Sequence, residues 1–163
     1  MMLVRASRVQ RLPALPHAGE PISISDVERI ETKTALALAS IVDISEADEW
    51  RRKAKAIEAF LRSPELQRPM LGAQRRIEAR IGQLLGVAKE GRPENSAHDR
   101  SNSVSLIAED SRADFRLLAR ALDGECELSP DEWRKSRRAL VSLIRRKLGL
   151  LPIVPPFPPG KSS

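Results

Sequence analysis

The sequence predicts an all-α fold, and three observations carry that reading. Apolar residues recur at gaps of three and four over long stretches, as in Trp50, Ala54, Ile57 and Leu61. Helix-start signals precede those stretches, the fullest being Ser129-Pro130-Asp131-Glu132. A seam of Leu66, Met70, Ala73, Ile77, Ile81, Leu84 and Ala88 extends over about three heptads. The architecture expected is a helical bundle with a long central helix, a polar linker and a small helix-turn-helix-like C-terminal unit, between disordered termini.

Composition bounds the function. The chain has 163 residues, with 28 Lys and Arg against 22 acids, a net charge of +6 and a pI near 10.1. A basic chain favours an anionic partner, most commonly nucleic acid. Aromatic residues make up 3% and Tyr is absent, which argues against a stacking platform for single strands. One cysteine, Cys126, excludes an intrachain disulfide and fits a reducing, cytoplasmic setting. No apolar run reaches the length of a membrane span, and the N-terminus lacks the apolar core of a signal peptide.

Residues 1–23 carry Arg5, Arg8 and Arg11, have no acid before Glu20, and are interrupted by Pro13, Pro16 and Pro21; they read as a flexible basic arm. Residues 24–89 read as a helical bundle and dimerisation domain. Its first helix is expected from a Ser25 cap through Val42, with Val27, Ile30, Leu38 and Ile41 inward. The second is expected from a Ser45 cap to about Arg62. The third, about Pro64 to Lys89, carries the seam, and Pro69 is expected to kink it or delay its start. Gly72, Gly82 and Gly86 lie off the seam. Arg75 and Arg76 are expected on a solvated basic side, and Arg80 beside an acid of the second helix. A homodimer through residues 64–89 would pack seam on seam.

Residues 90–102 read as a linker. Within it Gly91-Arg92-Pro93 is the core of minor-groove hooks, which makes Arg92 a candidate contact, although Glu90 and Glu94 spoil the usual basic flanks. Residues 103–149 read as a helix pair followed by a basic helix. The pair is Val104 to Glu109, a tight turn, then a second helix capped by Ser111 with Asp114 in a capping-box position. Phe115, Leu118 and Leu122 form its apolar stripe, and Arg112, Arg116 and Arg120 a second stripe suited to phosphate and guanine edges. The basic helix is expected to run unbroken from Ser129 to Leu148. It has no acid between Trp133 and Gly149, and Arg134, Lys135, Arg138, Arg145 and Arg146 make its basic face. Arg137 projects toward the apolar side and calls for an acidic partner. Residues 150–163 are a Pro-rich tail.

Residues from about 36 to 122 resemble a group of bacteriophage, prophage and mobile-element proteins. The resemblance rests on Arg51 to Phe60, on Arg75-Arg-Ile-Glu-Ala-Arg-Ile-Gly-Gln-Leu-Leu85, on Gly91-Arg-Pro93 and on Ser105 to Leu122. That group usually has a Gly in the turn before its second helix, where this chain has Glu109-Asp110-Ser111. The resemblance implies a DNA-binding accessory role in regulation, replication or partition.

The expectation is therefore double-stranded DNA binding through Arg112, Arg116, Arg120, Arg134, Lys135, Arg138, Arg145, Arg146 and Arg92. The alternative is an adaptor or inhibitor whose basic faces meet an acidic host or phage protein. The sequence presents no catalytic pair, no zinc pattern, no phosphate loop and no cofactor motif, and no enzyme is expected.

Overall fold

The Ser23 hydroxyl, not that of Ser25, starts the first helix. In the computed structural model, which describes residues 22–90 and 106–150, α1 spans Ile24–Ala37. Ser23 Oγ accepts from the Asp26 amide at 3.3 Å, and the Asp26 carboxylate accepts from the Ser23 amide at 3.0 Å. This reciprocal box satisfies two orphan donors, which a Ser25 cap would leave open. The bond from the Ser23 amide, then that from its hydroxyl, holds the Asp26 carboxyl below the usual carboxylate range. The helix also ends earlier than Val42. A 3₁₀ turn at Leu38–Ser40 follows, and Ser40 Oγ donates to the Ala37 carbonyl at 2.6 Å. A hydroxyl competing for the last carbonyls closes a helix in this way.

The second helix, α2, spans Ile44–Phe60 and is capped by Asp43, whose carboxylate accepts from the Ser45 amide at 3.1 Å. The predicted stripe holds: Trp50, Ala54 and Leu61 are buried, and Ile57 packs against them. Next, α3 spans Pro64–Glu90, and Pro69 is accommodated within it without delaying the start. Met70, Ala73, Ile77 and Ile81 of the predicted seam are fully buried. The rest of α3 departs from expectation. No residue from 69 to 86 is exposed, because α1, α2 and the later helices pack on its different sides. Arg75 is buried and Arg76 half-buried, so neither forms a solvated basic side. Arg80 donates to the Ile41 carbonyl at 2.9 Å and to Gln83 at 2.8 Å, with no acid of α2 against it. Met70, Ala73, Ile77 and Ile81 of that seam are covered by this chain's own helices.

Residues 106–108 are not helical, and α4 spans Glu109–Leu122. Its N-cap, Ala108, makes no side-chain bond. Glu109, Asp110 and Ser111 form its first turn, so the tight turn expected there is absent and Ser111 is not a cap. Two acids at the positive end of the helix dipole favour this start. A short helix, α5, spans Pro130–Trp133 with Ser129 as its cap, as predicted. The single long basic helix is not formed. The chain turns at 134–136, and Ser136 caps a new helix, α6, at Arg137–Lys147 by accepting from the Ala139 amide at 3.3 Å. Both α4 and α6 end in glycine: Gly124 (φ +90°) and Gly149 (φ +70°) close 6→1 bonds from Glu125 to Arg120 and from Leu150 to Arg145.

Gly82 decides how near α4 comes to α3. A β-carbon at Gly82 would stand 1.9 Å from the Phe115 carbonyl oxygen, so the two backbones touch at this crossing. Phe115, Leu118, Leu140 and Ile144 join Val27, Ile41, Met70 and Ile77 in one hydrophobic core. Buried side chains from both sides of the linker thus share a single interior. The arm at 1–21, most of the linker, the start of the expected helix pair and the tail from 151 lie outside the described residues.

Candidate nucleic-acid interface

Helix α6 carries five cations, Arg137, Arg138, Arg145, Arg146 and Lys147, and no acid. Leu140, Val141 and Ile144 are buried, which fixes the face it turns inward. Two of the cations are used internally. Lys147 Nζ donates to the Glu127 carbonyl at 2.6 Å and pairs with Glu132 at 2.8 Å; this bond pulls the Glu132 carboxyl below its ordinary range. Arg137 turns into the protein, as its place in the sequence pattern required. Its Nη1 reaches Ser111 Oγ at 3.3 Å and Glu78 at 4.0 Å, and its guanidinium lies 5.4 Å from the Phe115 ring centre. Arg51 lies 5.6 Å from the same ring, so two cations hold one buried aromatic.

The remaining three, Arg138, Arg145 and Arg146, are exposed, as is Lys135 just before the helix, and none of the four forms an ion pair with a described residue. Arg138 and Arg145 are seven residues apart, so they point within roughly 20° of each other with about 10.5 Å of rise between them. Arg146 widens the face. An exposed row of guanidinium groups without acids is suited to a phosphate backbone.

The arginine row on α4 is different. Arg112 Nε donates to the Ile107 carbonyl at 3.1 Å and so ties down the segment before the helix. Arg120 makes a two-pronged bond to Glu125 at 3.0 and 3.1 Å, and this bond, first of all, raises its pKa. Arg116 is exposed without an ion pair to a described residue. Glu109, Asp110 and Asp114 match the three arginines in number, so α4 has no excess charge. The row therefore does not make a concentrated positive stripe.

Arg134 is not on the open face either. It forks onto Glu31 of α1, at 2.9 Å from Nε and 3.2 Å from Nη2, with Glu28 at 3.8 Å and Asp131 at 3.9 Å. The bonds to Glu31 raise its pKa. Arg76 lies 3.6 Å from the same Glu31 and 5.5 Å from the Trp133 ring centre. Its Nη1 is buried without a hydrogen bond, and burial lowers its pKa. Arg75 donates to Glu78 at 2.6 Å and to the Lys135 carbonyl at 3.3 Å. Glu31 and Glu78 were not legible as site residues. The signal that pointed toward Glu78 was Arg137 on an apolar face. Arg92 and the Gly91–Pro93 stretch lie outside the described residues.

Other chemistry is sparse. Among the described residues no three His, Cys, Asp or Glu gather for a metal ion, and no helix is long and apolar enough to cross a membrane. An open hollow of about 450 Å³ beside the 123–128 loop is floored by Ala121 and Trp133 and walled by Cys126 and Leu128. Burial pushes the Cys126 thiol up, away from the reactive thiolate. No family model, no curated protein and no solved structure matches the chain.

Proposed function

We propose that the chain binds double-stranded DNA through the exposed face of α6, as an accessory protein of the phage or mobile-element type. One observation carries this reading: Arg138, Arg145, Arg146 and the adjoining Lys135 are exposed around a helix without a single acid. The net charge of +6 supports it. Lys135, Arg138, Arg145 and Arg146 are the phosphate contacts, and Arg116 is a further candidate. Arg134 becomes a support for these residues, and Arg120 is already engaged by Glu125. The phage-type assignment rests on the sequence resemblance.

The test is fluorescence anisotropy on a duplex of about 30 base pairs at about 50 mM salt, comparing wild type with Arg138→Ala/Arg145→Ala/Arg146→Ala; counterion release predicts roughly tenfold weaker binding per contact removed. Circular dichroism should show an unchanged fold, because all three side chains are exposed. Equal affinity of the two proteins would exclude α6 as the interface. Failure of the wild type to bind, together with capture of an acidic host protein, would favour the adaptor reading.

A further inference from the structure

The turn that launches α6 is gripped on several sides by charged groups of α1 and α3. Glu31, in α1, stands between Arg76 of α3 and Arg134 of the turn, at 3.6 and 2.9 Å. Glu78, in α3, stands between Arg75 of α3 and Arg137, the first residue of α6, at 2.6 and 4.0 Å. The arrangement is the same twice: one buried carboxylate, one arginine from α3 and one arginine from residues 134–137. Between them the Lys135 carbonyl accepts from Arg75, and Trp133 lies against Arg76. The next residue, Arg138, is the first cation of the exposed face.

We infer that Glu31, Glu78 and Arg134 are positioning residues that aim the basic face of α6. The inference rests on the DNA reading of that face. Apolar burial of Leu140, Val141 and Ile144 holds α6 to the core, but burial is not directional. A forked guanidinium–carboxylate bond is directional, and it sits just before the N-terminal end of α6, beside Arg138, so the direction it sets is carried along the helix to Arg145 and Arg146 in the last turn. Simultaneous contact with several phosphates requires the cations to stand at fixed separations. A pivoting helix makes fewer contacts at once, which lowers both affinity and its dependence on salt.

Glu31→Gln tests this by sign. It keeps the shape of the side chain and an acceptor for Arg134, and it raises the net charge by one. An account based on charge alone predicts tighter DNA binding. The clamp predicts weaker binding, by at least about fivefold, with a shallower slope of log K against log salt. Arg134→Lys is the second variant; it preserves charge and loses the fork. If Arg134 touched phosphate directly, Lys would keep the contact and the slope. Positioning predicts that the slope falls.

Hydrogen exchange is measured on the same proteins. The clamp predicts that amides at 140–147 in α6 exchange about tenfold faster while those at 70–85 in α3 are unchanged. Equal acceleration in both helices would indicate general destabilisation and overturn the inference. So would unchanged exchange in α6, or tighter DNA binding by Glu31→Gln. If the wild type fails to bind DNA at all, the functional reading falls. The exchange data then judge the clamp alone, and wild-type protection of α6 in both variants overturns it.

Discussion

Gly82→Ala should destabilise the protein by about 3 kcal/mol or more, in the upper range of overpacking penalties. The new methyl would meet the Phe115 carbonyl oxygen at 1.9 Å, its carbon at 2.4 Å and the Arg116 nitrogen at 2.9 Å. All three are backbone atoms of α4, so no side chain can swing aside. Relief requires α3 and α4 to separate where Met70, Ile77, Phe115 and Leu118 share one core. Gly86→Ala is the control on the same helix. A β-carbon there meets nothing within 4 Å, so the change should stabilise by up to about 1 kcal/mol through helix propensity. The same substitution four residues apart is thus expected to have opposite signs. Urea midpoints measure both, and a stabilising Gly82→Ala would show that the helices do not meet at this point.

Glu78→Ala is expected to cost about 3–5 kcal/mol, the range for removing one partner of a buried ion pair. The Glu78 side chain is 5% exposed and that of Arg75 10%, so the loss strands a guanidinium with little water to compensate it. Arg137 loses its acid at the same time, although Ser111 and the Phe115 ring remain beside it. The double change Arg75→Met/Glu78→Leu should cost less than Glu78→Ala alone, because no buried charge is left without its partner. Denaturant unfolding of the three proteins decides it. A larger loss in the double variant would mean that the pair contributes more than its desolvation removes.

The amphipathic pattern gave reliable access to what each helix buries on one side. Trp50, Ala54 and Leu61, and likewise Phe115 and Leu118, lie where their spacing puts them. Helix starts were less legible, because several polar residues near each start compete to cap it. Ser23 wins over Ser25 by its partnership with Asp26, three residues on. The enclosure of α3 from residue 69 to 86 was hidden because Gln74, Arg75 and Glu78 look like a solvated side. Gly72 and Gly82, which lie off the seam, mark where neighbouring groups come close. The break at Ser136 was hidden by uninterrupted basic and apolar spacing.

At the candidate site, the exposure of Arg138, Arg145 and Arg146 follows from helical register. The internal role of Arg134 does not, since its partner Glu31 is 103 residues away in the chain. Local spacing cannot report a contact of that range. On α4 the acids Glu109, Asp110 and Asp114 alternate with the arginines, and Glu125 beyond the helix engages Arg120, a contact that the spacing of the arginines alone does not report.

The most direct test of the account is the salt dependence of duplex binding by wild type and by Arg138→Ala/Arg145→Ala/Arg146→Ala. Each phosphate contact contributes roughly 0.9 to the slope of log K against log salt, so the variant's slope should be shallower by roughly 2.7. Parallel lines for the two proteins would contradict the assignment of α6 as the surface that meets DNA.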